Sequence, residues 1–247
     1  MNWLRFHPLT RVTIVVAAIL GAALFTGWER VGEALASISP GGSFEERCAS
    51  LPQSSVDVVL QPFGITENTT LPFTTLTRIS EGPSPVHRTI GLTQANFGHR
   101  SAIEVKGLED RIGMRACVRP RVQVELFVKQ LTVYVAREYA SDPCRARTIR
   151  EHEQRHVEVY SGYAQESVAL LSGQLASIVG HAPHLAASLG EAQHRLDRQI
   201  EQALEAFMRD SERTLAERQA LVDTPEEYAR VSSACRVAAA RALQPAD

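Results

Sequence analysis

The chain has 247 residues, 44% of them apolar, enough to bury the core of one ordinary domain with an extended helical part, and too many for the bulk of it to be disordered. Its 26 basic and 28 acidic residues give a formal net charge of -2. That balance removes any electrostatic ground for a nucleic-acid partner.

The first eleven residues carry Arg5 and Arg11 and no acid, and Val12 to Phe25 then runs as 14 apolar or small residues broken only by Thr13. A basic flank before a short apolar run reads, over residues 1–28, as an export signal, with Ala34-Leu35-Ala36 as a small-residue cleavage site. The alternative is a retained N-terminal anchor extended through Thr26-Gly27-Trp28, with the aromatic ring at the interface. Either way the remainder is expected outside the cytoplasm, periplasmic or secreted, and associated with the inner membrane if the segment is kept. Residues 29–54, turn-rich from Ile38-Ser-Pro-Gly-Gly-Ser-Phe onward, read as a linker.

Residues 55–140 carry β signals: Val56 to Leu60, Thr89 to Leu92, Ala102 to Val105, Arg121 to Val128 and Leu131 to Glu138, separated by Pro, Gly and Asn clusters. Val122, Val124, Leu126 and Val128 share one face, and Leu131, Val133 and Val135 share a face of the next run. A tight hairpin centred between residues 130 and 131 pairs positions whose numbers sum to 261. It sets Leu126 opposite Val135 and Cys117 opposite Cys144; a longer or bulged turn breaks the rule. The four cysteines, with no C-x-x-C pair, read as two disulfides in an oxidising compartment. The hairpin register selects Cys117–Cys144 and leaves Cys48–Cys235.

After Pro143 the pattern is helical. A first helix is expected from Arg145 to Val179, a break at Gly180-His181-Ala182-Pro183-His184, and a second helix from Leu185 to Ala220. Asp223-Thr224-Pro225-Glu226-Glu227 is a strong start for a third helix ending near Leu243. The expected class is α+β: an antiparallel β part, then a long αα-hairpin and a terminal helix in residues 144–243, zincin-like in outline.

The chemistry lies in His152-Glu153-Gln154-Arg155-His156. On a helix, positions i and i+4 share a face, so two imidazoles can bind one zinc ion (Zn2+), with Glu153 beside the water it activates. Zinc brings that water to a pKa of about 7. Glu153 is the expected general base, His152 and His156 the expected ligands, and a peptide or protein the expected substrate. Beyond His156 the next residues on the same face are Tyr160 and Tyr163, neither a usual zinc ligand, so the third ligand comes from another element. Glu227 ranks first and Glu226 second, although both also fit capping-box geometry; His194, Glu191 and Asp197 follow. Tyr160 and Tyr163 are candidate oxyanion donors or packing residues, and His99 a loop residue open to substrate. The competing reading is a non-catalytic envelope protein whose helices bind a partner and whose motif is vestigial.

The stretch TVYVAREYASDPCRARTIREHEQRHVEVY around the motif resembles a family of uncharacterised bacterial secreted proteins assigned as zinc-dependent proteases. LVDTPEEYARVSSAC is similar to a downstream element of related members. The resemblance spans roughly residues 55–240 and implies a helix bearing His-Glu-x-x-His after β-structure. It places the ligands on His152 and His156 and the base on Glu153. Many members carry a later Thr-x-His-Gly as third ligand, where this chain has Asp223-Thr-Pro-Glu-Glu-Tyr.

Overall fold

The computed structural model describes residues 42–81 and 88–242, so the expectations for residues 1–28 and for the linker up to residue 41 lie outside the described residues. In chain order the elements are α1 (Phe44–Ala49), β1 (Ser55–Leu60), β2 (Ile65–Asn68), α2 (Phe73–Glu81), β3 (Gly91–Asp110), β4 (Arg115–Val135), α3 (Pro143–Val179), β5 (His184–Ala186), α4 (Leu189–Ala220) and α5 (Pro225–Ala242). The class is α+β, as expected, and residues 41–247 cluster as one unit. No described helix is long and apolar enough to cross a membrane.

The expected hairpin at residues 130 and 131 is absent. Strand β4 runs through it for 21 residues, antiparallel to β3 along its whole length. What the sequence presents as a turn is a β-bulge: Ala95 pairs with Leu131 and Phe97 with Val128, so Lys129 and Gln130 together oppose Asn96. The extra residue moves the buried face from Val122, Val124, Leu126 and Val128 to Leu131, Val133 and Val135 without reversing the chain. The reversal lies at residues 110–115, where Asp110 Oδ1 accepts from Gly113 N at 2.9 Å. Nor is the sheet wholly antiparallel. Strands β1 and β2 pair with β4 in parallel, each residue with the one 66 further on, such as Ser55 with Arg121 and Ile65 with Leu131. The short β5 pairs antiparallel with Ala116 to Val118.

Both disulfide assignments are corrected with the hairpin. The bonds are Cys48–Cys117 and Cys144–Cys235. Cys117 lies near the start of β4, opposite Leu108, a strand's length from the chain reversal that was to bring it to Cys144. The linker region also contains α1, begun by a capping box between Ser43 and Glu46. Helix α2, which lies between two of the expected strands, buries Leu76 completely.

One face of the sheet carries the core. Val122, Val124 and Leu126 of β4 pack with Leu171, Leu175 and Val179 of α3 and with Ile200, Leu204 and Phe207 of α4. Val128, Leu131 and Val133 pack with Val157 and Ala164 nearer the start of α3. Each such side chain stabilises the fold by about 1.5–3 kcal/mol through removal from water. Helix α3 ends where Gly180 takes φ +61°, a conformation L side chains resist. The chain then returns as α4, antiparallel to α3, with Tyr163 donating to Ser211 at 2.9 Å and Glu166 paired to Arg218 at 2.8 Å.

Candidate metal centre

Helix α3 is begun by Asp142, whose side chain accepts from Cys144 N and Arg145 N at 3.0 Å, with Pro143 in the first turn. Its motif sits in the third and fourth turns, under the last turn of α4 and the first of α5. His152 and His156 have ring centroids 4.9 Å apart. Their Nε2 atoms face each other at 3.3 Å, and Asp223 Oδ1 completes a triangle at 3.1 Å from His152 Nε2 and 3.3 Å from His156 Nε2. A tetrahedral ion with bonds of about 2.0–2.1 Å needs ligand atoms about 3.3 Å apart. The three atoms therefore match one face of a zinc coordination tetrahedron, and a fourth position is left over.

The other ring nitrogens are occupied as metal-binding imidazoles require. His152 Nδ1 lies 3.2 Å from Glu227 Oε1, and His156 Nδ1 meets Gln219 Oε1, while Gln219 Nε2 donates to the His156 carbonyl at 3.2 Å. Glu227 is thus placed behind His152 rather than beside the Nε2 atoms. It is held there by Arg155 Nη1 at 2.7 Å and by Arg230 Nε and Nη2 at 2.8 and 2.7 Å. Glu226, one residue earlier, is exposed. His194 is exposed 25 residues before Gln219 on α4, about 37 Å away at 1.5 Å per residue. Asp223 stands where Glu227, Glu226 or His194 was expected. It is available because Thr224 is the cap of α5, accepting from Glu227 N at 3.2 Å.

Glu153 is 3% exposed and wedged between α3 and β3. Thr93 Oγ1 donates to its Oε2 at 2.8 Å. Gly91 lies against its other oxygen, and a Cβ there would stand 2.6 Å from Ile149 Cγ2 and 3.0 Å from Glu153 Cδ. Gly91→Ala is expected to cost about 1–3 kcal/mol through overpacking, read as a lower denaturant midpoint, with zinc binding kept. A midpoint equal to wild type would mean that the strand does not clamp Glu153.

The charges follow from burial and pairing. Burial, only partly offset by the Thr93 hydrogen bond and the nearby imidazoles, raises the Glu153 carboxyl above its usual range. Burial also acts against charging Asp223, but hydrogen bonds from His152 and His156 outweigh it and keep the carboxyl well below its usual range. The Arg230 fork, despite some desolvation and with help from Arg155, lowers Glu227 to about 2. For both histidines desolvation is the largest influence and opposes the proton, but Asp223 and Glu153, joined by Glu227 at His152 and by Gln219 at His156, together outweigh it, so both pKa values are raised.

Of the other candidates, Tyr160 packs on Phe97 with centroids 6.3 Å apart, Tyr163 is bound to Ser211, and His99 lies within β3 rather than in a loop, its pKa lowered by burial. Sequence reasoning missed Asp223, Gln219, Thr93 and the arginine pair. Only Asp223 left a signal, as an acid at the head of a predicted helix.

Comparison with models of known families, with curated proteins and with solved structures finds no match for this chain. The functional reading therefore rests on the site's own geometry.

Proposed function

We propose that this chain is a zinc-dependent hydrolase of the metallopeptidase type, acting on peptide or protein substrates outside the cytoplasm. The observation that carries the proposal is the triangle of His152 Nε2, His156 Nε2 and Asp223 Oδ1, with sides of 3.1–3.3 Å and both opposite ring nitrogens occupied. The two imidazoles and one carboxylate form the donor set of a catalytic zinc site with one open position. When bound, zinc supplies a Lewis acid that makes water nucleophilic near neutral pH and polarises a carbonyl oxygen. Glu153 takes the proton of the attacking water and passes it to the leaving amine nitrogen; its raised pKa suits that double role. Strand β3 pairs with β4 along one edge, and among the described residues no strand pairs with its other edge. Since Thr93 of β3 touches Glu153, an extended peptide adding to that edge would lie beside the site. The basic-flanked apolar start and the two disulfides support placement in the envelope.

The test is cleavage of casein by the zinc-loaded full chain. Glu153→Gln is expected to lower the rate at least about a hundredfold while keeping zinc. A Glu153→Gln variant as active as wild type would remove the proposed base.

A linked result is expected in thermal melts. Because the folded pKa values of both histidines are raised, their protons stabilise the metal-free fold fully below about pH 6.5, and that contribution fades as pH climbs through the folded values. Zinc needs neutral imidazoles, so the Tm gain on adding zinc should grow from pH 5.5 to pH 8. A gain independent of pH would mean that zinc binds elsewhere.

A further inference from the structure

Tyr228 is the unused aromatic residue at the site. It lies in the first turn of α5, and its ring centroid is 6.1 Å from that of His152, with the planes tilted by 43°. Its hydroxyl hydrogen-bonds the Asp223 carboxylate. The residue is 54% exposed, whereas the side chains of both histidines are nine-tenths covered. Tyr228 therefore borders both the carboxylate of the triangle and solvent. Tyr163, by contrast, is 4% exposed and donates to Ser211, as a structural tyrosine does.

We propose that Tyr228 is a catalytic residue, its hydroxyl donating to the scissile carbonyl oxygen as that oxygen becomes an anion; this rests on the metallopeptidase reading above. The water oxygen bonds to the carbonyl carbon, the C=O electron pair moves onto oxygen, and the water proton goes to Glu153. Tyr228 turns its O–H from Asp223 to the oxyanion, exchanging one charge-assisted hydrogen bond for another. The electron pair then returns, the C–N bond breaks, and Glu153 delivers its proton to nitrogen. Tyr228 keeps its own proton throughout, so water and amide give acid and amine. The two tyrosines the sequence offered for this role, Tyr160 and Tyr163, are engaged with Phe97 and Ser211.

The alternative is that Tyr228 only orients Asp223, and the two roles separate on the full chain. Zinc affinity is measured by chelator competition for wild type and Tyr228→Phe. Binding of methylphosphonate, a tetrahedral oxyanion, to each zinc-loaded protein is then measured by calorimetry. The proposal expects zinc affinity within about threefold of wild type and phosphonate binding weakened at least about tenfold. For any peptide that wild type cleaves, kcat should fall about 10²–10³-fold with KM unchanged, the size of one lost oxyanion donor. Unchanged phosphonate affinity, or a loss confined to zinc affinity, overturns it. Absence of zinc from wild type overturns the metallopeptidase reading itself, and is distinguished by the first measurement.

Discussion

Asp223→Ala is expected to weaken zinc binding by the full chain about a hundredfold to a thousandfold, the share of one ligand in a site worth about 10–16 kcal/mol with four. Glu226→Ala should leave affinity unchanged, and Glu227→Ala should lower it only about ten- to a hundredfold, as removal of a group that orients a ligand does. The ranking follows from which ring nitrogen each carboxylate meets. Asp223 Oδ1 lies 3.1 and 3.3 Å from the two Nε2 atoms, whereas Glu227 Oε1 lies on His152 Nδ1 and its carboxylate is already taken by Arg155 and Arg230. Competition with a chromophoric chelator measures all three variants. If Glu227→Ala proves worse than Asp223→Ala, the ligand and its support have been interchanged.

The second large effect concerns the bond that carries Asp223 to the site. Of the α5 residues whose burial is described, 225–235, only Glu227 is buried, so this part of the helix has little buried apolar surface to hold it. Among those residues its attachments to α3 include the contacts of Glu227 with His152 and Arg155, the Tyr228 ring against His152, and the Cys144–Cys235 disulfide. Cys144 precedes His152 by eight residues and Cys235 follows Glu227 by eight, so the disulfide fastens two antiparallel helices about 12 Å from the His152–Glu227 contact. With a sequence separation of 91, the bond restricts the unfolded chain by about 4–5 kcal/mol. Replacing both cysteines by serine is expected to lower the Tm and also to reduce zinc affinity at least tenfold, because α5 must be ordered anew to present Asp223. The matching Cys48→Ser, Cys117→Ser variant removes the bond that ties α1 to β4, neither of which supplies a site residue. It should lose stability while keeping zinc affinity. Equal zinc affinity in both double variants would show that α5 docks without its disulfide.

What the sequence made legible divides along the distance over which its signals act. His152, Glu153 and His156 were readable because helical spacing is local and nothing interrupts α3 from Pro143 to Val179. The β part failed at one place for a definable reason. A bulge at Lys129-Gln130 and a two-residue turn produce the same change of alternation, and nothing within the run separates them. The cysteine pairing inherited that error. Asp223 was read as a cap because Asp and Thr at consecutive positions compete for the role, and only the fold shows that Thr224 takes it. Gln219 and Thr93 carried no local mark, since each becomes functional only through packing of α4 and β3 against α3.

The claim on which the rest depends is that one ion joins α3 to Asp223 in the connection between α4 and α5. It is tested most directly by anomalous diffraction at the zinc edge from crystals of the zinc-loaded full chain. A single peak within about 2.2 Å of His152 Nε2, His156 Nε2 and an Asp223 carboxylate oxygen is the predicted result. Zinc absent from that position, or held there without Asp223, would contradict the account.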